Sequence, residues 1–577
     1  MRQPKWTRMS TTILGINYAF HDSTACIVRD GRLVCALEEE RFTRRKHTLE
    51  FPWNAIERCF EMAGVAPSDI AHVAVSVRPW LHLQRKLAYR LARPRSVRPF
   101  LRYDLFWSVQ KHREFRKWYR GLWPEEDCGP QVHYIPHHHC HGAGSFFVSP
   151  FESAAILSID GSGEWSTSFL GRGQGTRVES FGESYFPHSL GSFYEAATHY
   201  CGFQPNYDEG KTMGLAPFGD PERFYPRFRE MVRIDPEGRI HVDTSWFGYP
   251  WFSKLRFGPR FEEAFGPARN RNGPFEDRHR DVAAAAQRVL EECGLKMARQ
   301  LHERTGERHL VIAGGVALNS VMNGRILRET PFDDVYIMAA AGDNGTAIGA
   351  AFYLQHAILG RPREFVHLDP YVGTSYDNAQ IRSVLDEAKV RYEHHEDIAG
   401  VAARKLSEQR IIGWFQGRME IGPRALGNRS ILADPTNPAM KDRINAEVKH
   451  REAFRPFAPS ATVEARNEFF DLGVEDPFML KVCNVLQRKR GVLPAITHVD
   501  GTARLQTVSR DTNLLYHELI TKFAALSGVP VVLNTSFNIM GEPIVESPVD
   551  ALRCFYSTGL DDLFMGNFAL SKQWLGT

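Results

Sequence analysis

Short apolar runs broken by turn residues set the rhythm of the first forty positions. Ile13-Leu14-Gly15-Ile16-Asn17 is followed by His21-Asp22-Ser23-Thr24-Ala25-Cys26-Ile27-Val28, then by Arg29-Asp30-Gly31-Arg32 and Leu33-Val34-Cys35-Ala36-Leu37. An Asp-Gly pair between two β-rich runs predicts a hairpin. The pattern recurs at 154–171: an apolar strand from Ala154 to Ile159, a predicted turn at Asp160-Gly161-Ser162-Gly163, and a second strand through Phe169-Leu170. Two such units, each with an acid or acceptor in its turn, predict a duplicated α/β fold with room for a nucleotide between the halves. His309 to Ala313 reads as a buried strand, and Gly314-Gly315 leads from it into a helix start at Val316-Ala317-Leu318-Asn319-Ser320. Glycines there let the backbone approach a ligand, and the free N–H groups of a helix start favour polar or anionic atoms. Gly210-Lys211-Thr212-Met213-Gly214-Leu215 reads as another glycine-rich turn, without Walker A spacing.

A helix-like stretch from Ala347 to Leu359 ends in Gly360-Arg361-Pro362-Arg363, which predicts a domain boundary there. The expected units are residues 1–362 and 363–577, the first carrying an insertion at about 80–125. The second unit has its own motifs: Ile411 to Arg418, a strand entering a glycine turn; Ile421-Gly422-Pro423-Arg424-Ala425-Leu426-Gly427; Lys449-His450-Arg451-Glu452; Arg455-Pro456-Phe457-Ala458-Pro459-Ser460; Arg504-Leu505-Gln506-Thr507; and Asn534-Thr535-Ser536-Phe537-Asn538.

Composition narrows the class. The chain has 577 residues, 43% apolar and 24% charged, as soluble globular proteins do. No apolar run approaches the ~20 residues that cross a bilayer, and Met1 to Ser10 is polar and basic, so neither a membrane partner nor a secretory signal is expected. The nine cysteines contain no Cys-x-x-Cys pair. That disfavours a zinc ribbon or a thioredoxin-type site and fits reduced thiols in a cytoplasmic protein.

The net charge of +3 says little, but its distribution says more. From Arg85 to Arg120 basic residues dominate, interleaved with Tyr89, Phe100, Tyr103, Phe106, Trp107, Phe115, Trp118 and Tyr119. Such a stretch binds nucleic acid or an anionic ligand, or else packs as an amphipathic helical insertion with solvated charges. No RNA-binding motif accompanies it, and the packing reading is preferred.

The segment His137-His138-His139-Cys140-His141 carries the densest chemistry. On a helix His137 and His141 share one face. Two imidazoles on one helix face, with Asp160 and Asp343 at strand ends, would make an N/O metal site where α/β folds do their chemistry. A surface or capping role is the plainer reading of the histidines alone, but a lone buried carboxylate needs a cation or several donors. In the second unit Arg424, Lys449, Arg451, Arg455 and Arg504 stand in turns. They would either converge on a phosphorylated ligand or form surface ion pairs.

Taken in order, these motifs resemble the NodU/CmcH/TobZ family of O-carbamoyltransferases. The residues carrying the likeness begin with Gly15-Ile16-Asn17 and His21-Asp22, Glu38-Glu39-Glu40-Arg41-Phe42-Thr43, Lys46-His47, the His137…His141 cluster and Asp160-Gly161. They continue through Gly210 to Gly214, Gly314 to Asn319, Gly422 to Gly427, Arg455 to Ser460 and Asn534 to Pro543. The resemblance implies an ASKHA (actin/Hsp70-like, TsaD-type) N-terminal domain followed by a YrdC-like α/β domain. It also implies a two-step chemistry. Carbamoyl phosphate and ATP, with Mg2+, would give carbamoyl adenylate in the second domain. The first would pass the carbamoyl group to a hydroxyl of a sugar, polyol or other specialised metabolite.

By that likeness His137, His141, Asp160 and Asp343 correspond to metal ligands, with iron the implied ion; the donor set alone suits zinc or manganese equally. His21 corresponds to a transfer histidine, Lys211 and Asn319 to nucleotide-side positions, and Arg424, Lys449, Met479, Arg504 and Ser536 to the adenylation pocket. His21, Lys449 and Arg424 are the expected catalytic set. The basic insertion matches none of the family motifs and is a candidate acceptor-binding element. Two alternatives stand beside this: a tRNA threonylcarbamoyl-type transferase, and a non-enzymatic ASKHA nucleotide switch. Nucleic acid is not an expected partner; a homodimer is compatible with the sequence.

Overall fold

The computed structural model describes residues 10–18, 21–93, 106–125, 129–251 and 253–576. Its first sheet is built from β1 (Thr12–Asn17), β2 (Thr24–Arg29), β3 (Arg32–Glu38), β4 (His72–Val75) and β5 (Gln131–Tyr134) in the order β3-β2-β1-β4-β5. The first three strands form an antiparallel meander, and β4 and β5 add in parallel. The β2–β3 turn is the predicted Asp30-Gly31, with positive φ at both residues (50° and 78°), as a primed two-residue hairpin turn requires.

The same plan is repeated. β6 (Ser153–Gly163), β7 (Ser166–Gln174) and β8 (Arg177–Tyr185) form a meander. A two-stranded ribbon of β9 (Val232–Ile234) and β10 (Ile240–Val242) follows. β11 (His309–Ala313) and β12 (Asp334–Ile337) then add in parallel to β6, giving β12-β11-β6-β7-β8. Two sheets of identical topology are the duplicated halves of an ASKHA fold. Between them lie two helices: His137–Phe146 packs on β6, β7 and β11, and Thr346–Tyr353 packs on β1, β2 and β4 and against the first helix. β1 and β6 are buried along nearly their whole length because each is covered on both faces.

Two local expectations are corrected. Asp160-Gly161-Ser162-Gly163 is not the turn; β6 runs through it with an irregularity between Ile159 and Gly163, and the chain reverses at Glu164-Trp165, with Glu164 at φ 46°. Gly210 to Gly214 is not a turn either but part of a helix, Glu209–Leu215, which packs on the long helix Asp277–Thr305. Burial of Thr212 and Leu215 overrides the low helix propensity of the two glycines.

In the described part of the basic stretch the aromatics pack as the preferred reading expects, but Lys86, Arg90 and Lys111 are buried rather than solvated. The helices Leu83–Leu91 and Phe106–Leu122 lie between β4 and β5, and Phe115 and Trp118 are buried against Tyr18 and Phe51. Residues 94–105 of this insertion, with Phe100 and Tyr103, and 126–128, with Cys128, lie outside the described residues, as does the basic N-terminus through Met9. The eight described cysteines are buried and free. No described helix is long and apolar enough to cross a membrane.

The C-terminal half centres on one mixed sheet. Its strands are β13 (Glu393–His394), β14 (Ile412–Phe415), β15 (Arg429–Ala433), β16 (Ala458–Thr462), β19 (Gln506–Val508), β20 (Val531–Ser536), β21 (Asp562–Met565) and β22 (Phe568–Ser571). Their order is β13-β22-β21-β14-β15-β20-β16-β19, and β17 (Val482–Asn484) with β18 (Thr502–Arg504) forms a separate ribbon. The core of the first half continues into this one through Tyr371, Val372, Ile421, Leu426 and Phe478 to Leu480. Polar ties span the same junction: Arg41 donates to Gly422 O at 2.7 Å, Arg44 to Pro543 O at 2.8 Å and Ile544 O at 2.7 Å, and Arg418 to Val34 O at 2.9 Å.

Candidate functional site

Four side chains from three places in the sequence meet between the two halves of the N-terminal unit. The helix spacing puts His137 and His141 on one face, and their Nε2 atoms lie 2.9 Å apart. Asp160, from β6, places Oδ2 3.3 Å from His137 Nε2 and 3.2 Å from His141 Nε2. Asp343, entering the Thr346–Tyr353 helix, places Oδ1 3.4 Å from both. All four are buried. Asp343 Oδ1 has no hydrogen-bond partner in good geometry, which leaves a buried carboxylate oxygen aimed at the same point as two imidazole nitrogens. Ligands about 2.0–2.2 Å from a tetrahedral ion stand about 3.4 Å apart, so this donor set fits a divalent cation.

Electrostatics agree with the geometry. Burial works to lower the His137 pKa, but the Asp343 charge and hydrogen bonding to Asp160 and Asp343 push it up to about 10. Burial works to raise Asp160, and its bonds to His137 and His141 hold it well below the carboxylate range. Gly163 is required beside the cluster, because a Cβ there would stand 2.0 Å from the His137 ring.

The other members of the histidine run are not ligands. His138 bonds to Ser158 Oγ and Ser166 O, each at 3.0 Å, and burial followed by His137 and His141 lowers its pKa to about 3. His139 turns to Phe169 and Tyr353. Glu164 secures the start of the helix, accepting from His137 N at 3.1 Å and from Arg78 N at 2.7 Å.

His21 approaches the cluster from the β1–β2 turn. Its Nδ1 lies 3.0 Å from Asp22 Oδ2, and its Nε2 lies 3.9 Å from Asp343 Oδ2. The other Asp22 oxygen bonds His47 Nδ1 at 2.8 Å, and His47 stands edge-on to Tyr207. Desolvation works to lower the pKa of His21, but Asp343 and then Asp22 hold His21 well above its usual value. Its side chain remains 42% exposed. Asn17, which sequence reasoning missed as a site residue, clamps this corner: its amide donates to His21 O, Asp22 O and Asp343 O at 3.0–3.1 Å. The signal was present, a polar residue closing a fully buried strand.

A second centre lies between the two halves of the chain. Burial lowers the pKa of Arg424, Arg451, Arg455 and Arg504; the Arg455 charge then adds to the lowering of Arg424, to about 10, and of Arg451, to about 9, and Arg424, Arg451 and Arg455 add to that of Arg504, which falls well below its usual value, while Glu452 and Asp208 oppose the lowering of Arg455. The buried Nε atoms of Arg424 and Arg504 have no partner. Lys449 donates to Ser536 O, to Asn538 O at 3.0 Å and to Asn538 Oδ1 at 2.8 Å; burial and then Arg451 lower its pKa strongly. Like charges gathered with unmade hydrogen bonds leave donors that an anion could engage.

Met479, buried with φ 59°, lies in the loop that Asp476 holds through the N–H groups of Leu480 and Lys481. Asn319 caps the helix Ser320–Glu329 and exchanges two hydrogen bonds with Gln287, while Lys211 pairs with Asp208 and Glu452.

The family called Carbamoyltransferase N-terminus matches residues 12–352, and Carbamoyltransferase C-terminus matches 403–572. This chain belongs to the carbamoyltransferase family. The enzyme is 39% identical to nodulation protein NolNO of Sinorhizobium fredii, over 96% of this chain and 80% of that one. It is 33% identical to the 3'-hydroxymethylcephem-O-carbamoyltransferase of Streptomyces clavuligerus, over 62% and 64%. Among solved structures it resembles component A of the Acidaminococcus fermentans (R)-2-hydroxyglutaryl-CoA dehydratase at 15% identity and a TM-score of 0.32, covering 59% of this chain and 97% of that one. Membership in a transferase family sets aside the non-enzymatic switch.

Proposed function

We propose that the enzyme carbamoylates a hydroxyl in two half-reactions, residues 363–577 forming carbamoyl adenylate and residues 1–362 transferring its carbamoyl group. The observation that carries this reading is the pairing of two unlike polar centres on either side of one segment. Asn206-Tyr207-Asp208-Glu209-Gly210-Lys211 touches His47 on the histidine side and Glu452 on the arginine side. One centre is suited to phosphates, the other to a cation and a proton acceptor.

In the first half-reaction water hydrolyses carbamoyl phosphate to carbamate and inorganic phosphate, a carbamate oxygen then attacks the α-phosphorus of ATP, and the bond to the β-phosphate breaks so that pyrophosphate leaves. Arg424, Arg451, Arg455, Arg504 and Lys449 offer the donors that neutralise the departing charge. Ser536 and Asn538 hold Lys449 in place, and Met479 shapes the pocket wall. Mg2+ accompanies ATP. Lys211 and Asn319 border the nucleotide, Asn319 by fixing the helix that follows Gly314-Gly315.

In the second, the acceptor oxygen attacks the carbamoyl carbon and AMP leaves. His21 takes the hydroxyl proton at Nε2, because Asp22 engages Nδ1 and thereby fixes the tautomer. The upward push on His21 comes chiefly from Asp343, a carboxylate whose charge a bound cation offsets. His137, His141, Asp160 and Asp343 would hold that cation, iron, zinc or manganese, which would polarise the carbamoyl carbonyl.

Pyrophosphate release from ATP and carbamoyl phosphate tests the first step, and mass spectrometry of acceptors tests the second. Lys449→Ala should abolish pyrophosphate release yet transfer from supplied carbamoyl adenylate; His21→Ala should do the reverse. Equal loss in both assays from either variant would refute the division of labour.

A further inference from the structure

The short helix Glu40–Thr43 of the first unit carries two arginines, Arg41 and the C-cap Arg44, that reach across to residues 363–577. Arg41 is buried and fully engaged. Its Nε donates to Glu38 Oε2 at 2.9 Å, Nη1 lies 3.2 Å from Glu40 Oε1, and Nη2 donates to Gly422 O at 2.7 Å. Glu38 is fixed from its other side, accepting from Asn344 Nδ2 at 2.7 Å. Gly422 has φ 100°, and a Cβ there would stand 2.4 Å from Ala339 O. The turn is thus pressed between Arg41 and the backbone of the first unit. Two residues on is Arg424, whose Nη2 donates to Leu318 O at 3.4 Å, again in the first unit.

Arg44 holds a different loop. Its Nη1 donates to Ile544 O at 2.7 Å and its Nη2 to Pro543 O at 2.8 Å. The carbonyl before these, Glu542 O, accepts from Asn538 Nδ2 at 2.7 Å, and Asn538 Oδ1 accepts from Ser536 Oγ and from Lys449 Nζ, each at 2.8 Å. Arg44 is therefore linked to Lys449 through one stretch of loop and one amide side chain. Its own φ of 57° is a conformation that a non-glycine residue keeps only where the surroundings over-determine it. Among the described residues, no group of the second unit donates to the carbonyls of Gly422, Pro543 or Ile544.

We infer that Arg41 and Arg44 are positioning residues of the second centre: from the first unit they set the two loops that carry Arg424 and hold Lys449, so the anion-binding arrangement forms only across the seam. This rests on the adenylation reading and deepens it. The physical need is repulsion. Arg424, Lys449 and Arg504 each feel the charge of neighbouring arginines, which pushes the loops that bear them apart. An anion offsets that push only once it is bound, so the empty site depends on bonds made elsewhere. Arg41 and Arg44 make those bonds at backbone carbonyls, whose positions do not depend on the ligand. A guanidinium suits the task because its fixed fork spans two acceptors at once, which a single ammonium point charge does not.

Binding of inorganic pyrophosphate to the full-length chain, measured by isothermal titration calorimetry, tests this. Arg44→Gln, at a side chain 21% exposed, should weaken pyrophosphate binding by about fivefold to tenfold. Arg41→Lys keeps a charge beside Glu38 but loses the fork, and should weaken it comparably. Each effect should act through one partner. In a Lys449→Gln background Arg44→Gln should cost less than about twofold, and in an Arg424→Gln background so should Arg41→Lys. Urea unfolding of the same variants is read in parallel. Variants that lose stability yet bind pyrophosphate as the wild type does would make both arginines plain ties between units and overturn the inference. Single effects that add in full in the double variants would overturn it too. If Arg41→Lys does not fold, the Arg44 pair decides alone. A wild-type chain that binds no pyrophosphate would instead remove the adenylation reading on which the inference rests.

Discussion

Replacing Arg504 with methionine should make the ligand-free protein more stable and at the same time blind to pyrophosphate. The Arg504 side chain is half-buried beside Arg424, Arg451 and Arg455, its buried Nε has no partner, and it forms no ion pair among the described residues. A buried polar atom without a partner costs about 1–3 kcal/mol, and more when charged. Exchange of a buried charge for an apolar side chain of similar volume is often stabilising by about 1–4 kcal/mol. We therefore expect Arg504→Met to gain about 1–3 kcal/mol without ligand. Inorganic pyrophosphate at about a hundred times its Kd should stabilise the wild type by about 2.7 kcal/mol. The variant should keep less than about 1 kcal/mol of that response, since Arg504 supplies donors central to the proposed anion site. Urea unfolding with and without pyrophosphate measures both terms. A variant less stable than wild type in the absence of ligand, yet with its pyrophosphate response intact, would refute the anion reading and make the arginines structural.

Three further outcomes follow from the same structure. Asp343→Asn or His141→Ala should lower the divalent metal bound per chain, measured by elemental analysis after dialysis against a weak chelator, by about tenfold or more in affinity; unchanged metal content would mean that the cluster is not the binding site. Glu209 is protonated in the fold up to about pH 8 but only to 4.5 when unfolded, so its contribution to stability falls as pH rises through that window, by at most about 1.4 kcal/mol per unit. Glu209→Gln should flatten that part of the stability–pH curve, and an identical curve would sink the assignment. Trp118→Ala should cost about 3–5 kcal/mol in urea unfolding, because its ring packs on Phe51, Phe115 and Trp123; a loss below about 1 kcal/mol would show that the insertion is not part of the core.

The four-residue cluster was legible in the sequence because spacing fixes direction: on a helix His137 and His141 share a face, and the acids end apolar runs. The duplicated fold was legible from repeated strand–turn–strand patterns. The exact turn after Asp160 was not, because an irregular strand and a loop use the same residues, and only pairing of Gly163 with Ser166 separates them. The Gly210–Gly214 helix was hidden for a related reason: its stability comes from packing on the Asp277–Thr305 helix, which local propensity does not record. The ties from Arg41 and Arg44 were invisible because they join residues 381 and 500 positions apart by tertiary contacts alone.

Glu164 has a consequence for how the insertion is held. Its one carboxylate pins Arg78 N, where the chain leaves β4, and His137 N, where it enters the histidine helix. These are the two ends of the stretch that contains the insertion. The segment between them is thus anchored at both ends by one side chain, while its middle is anchored separately by Phe115 and Trp118 in the core. Glu164→Ala should therefore loosen both ends of the segment at once, the exit from β4 and the start of the histidine helix.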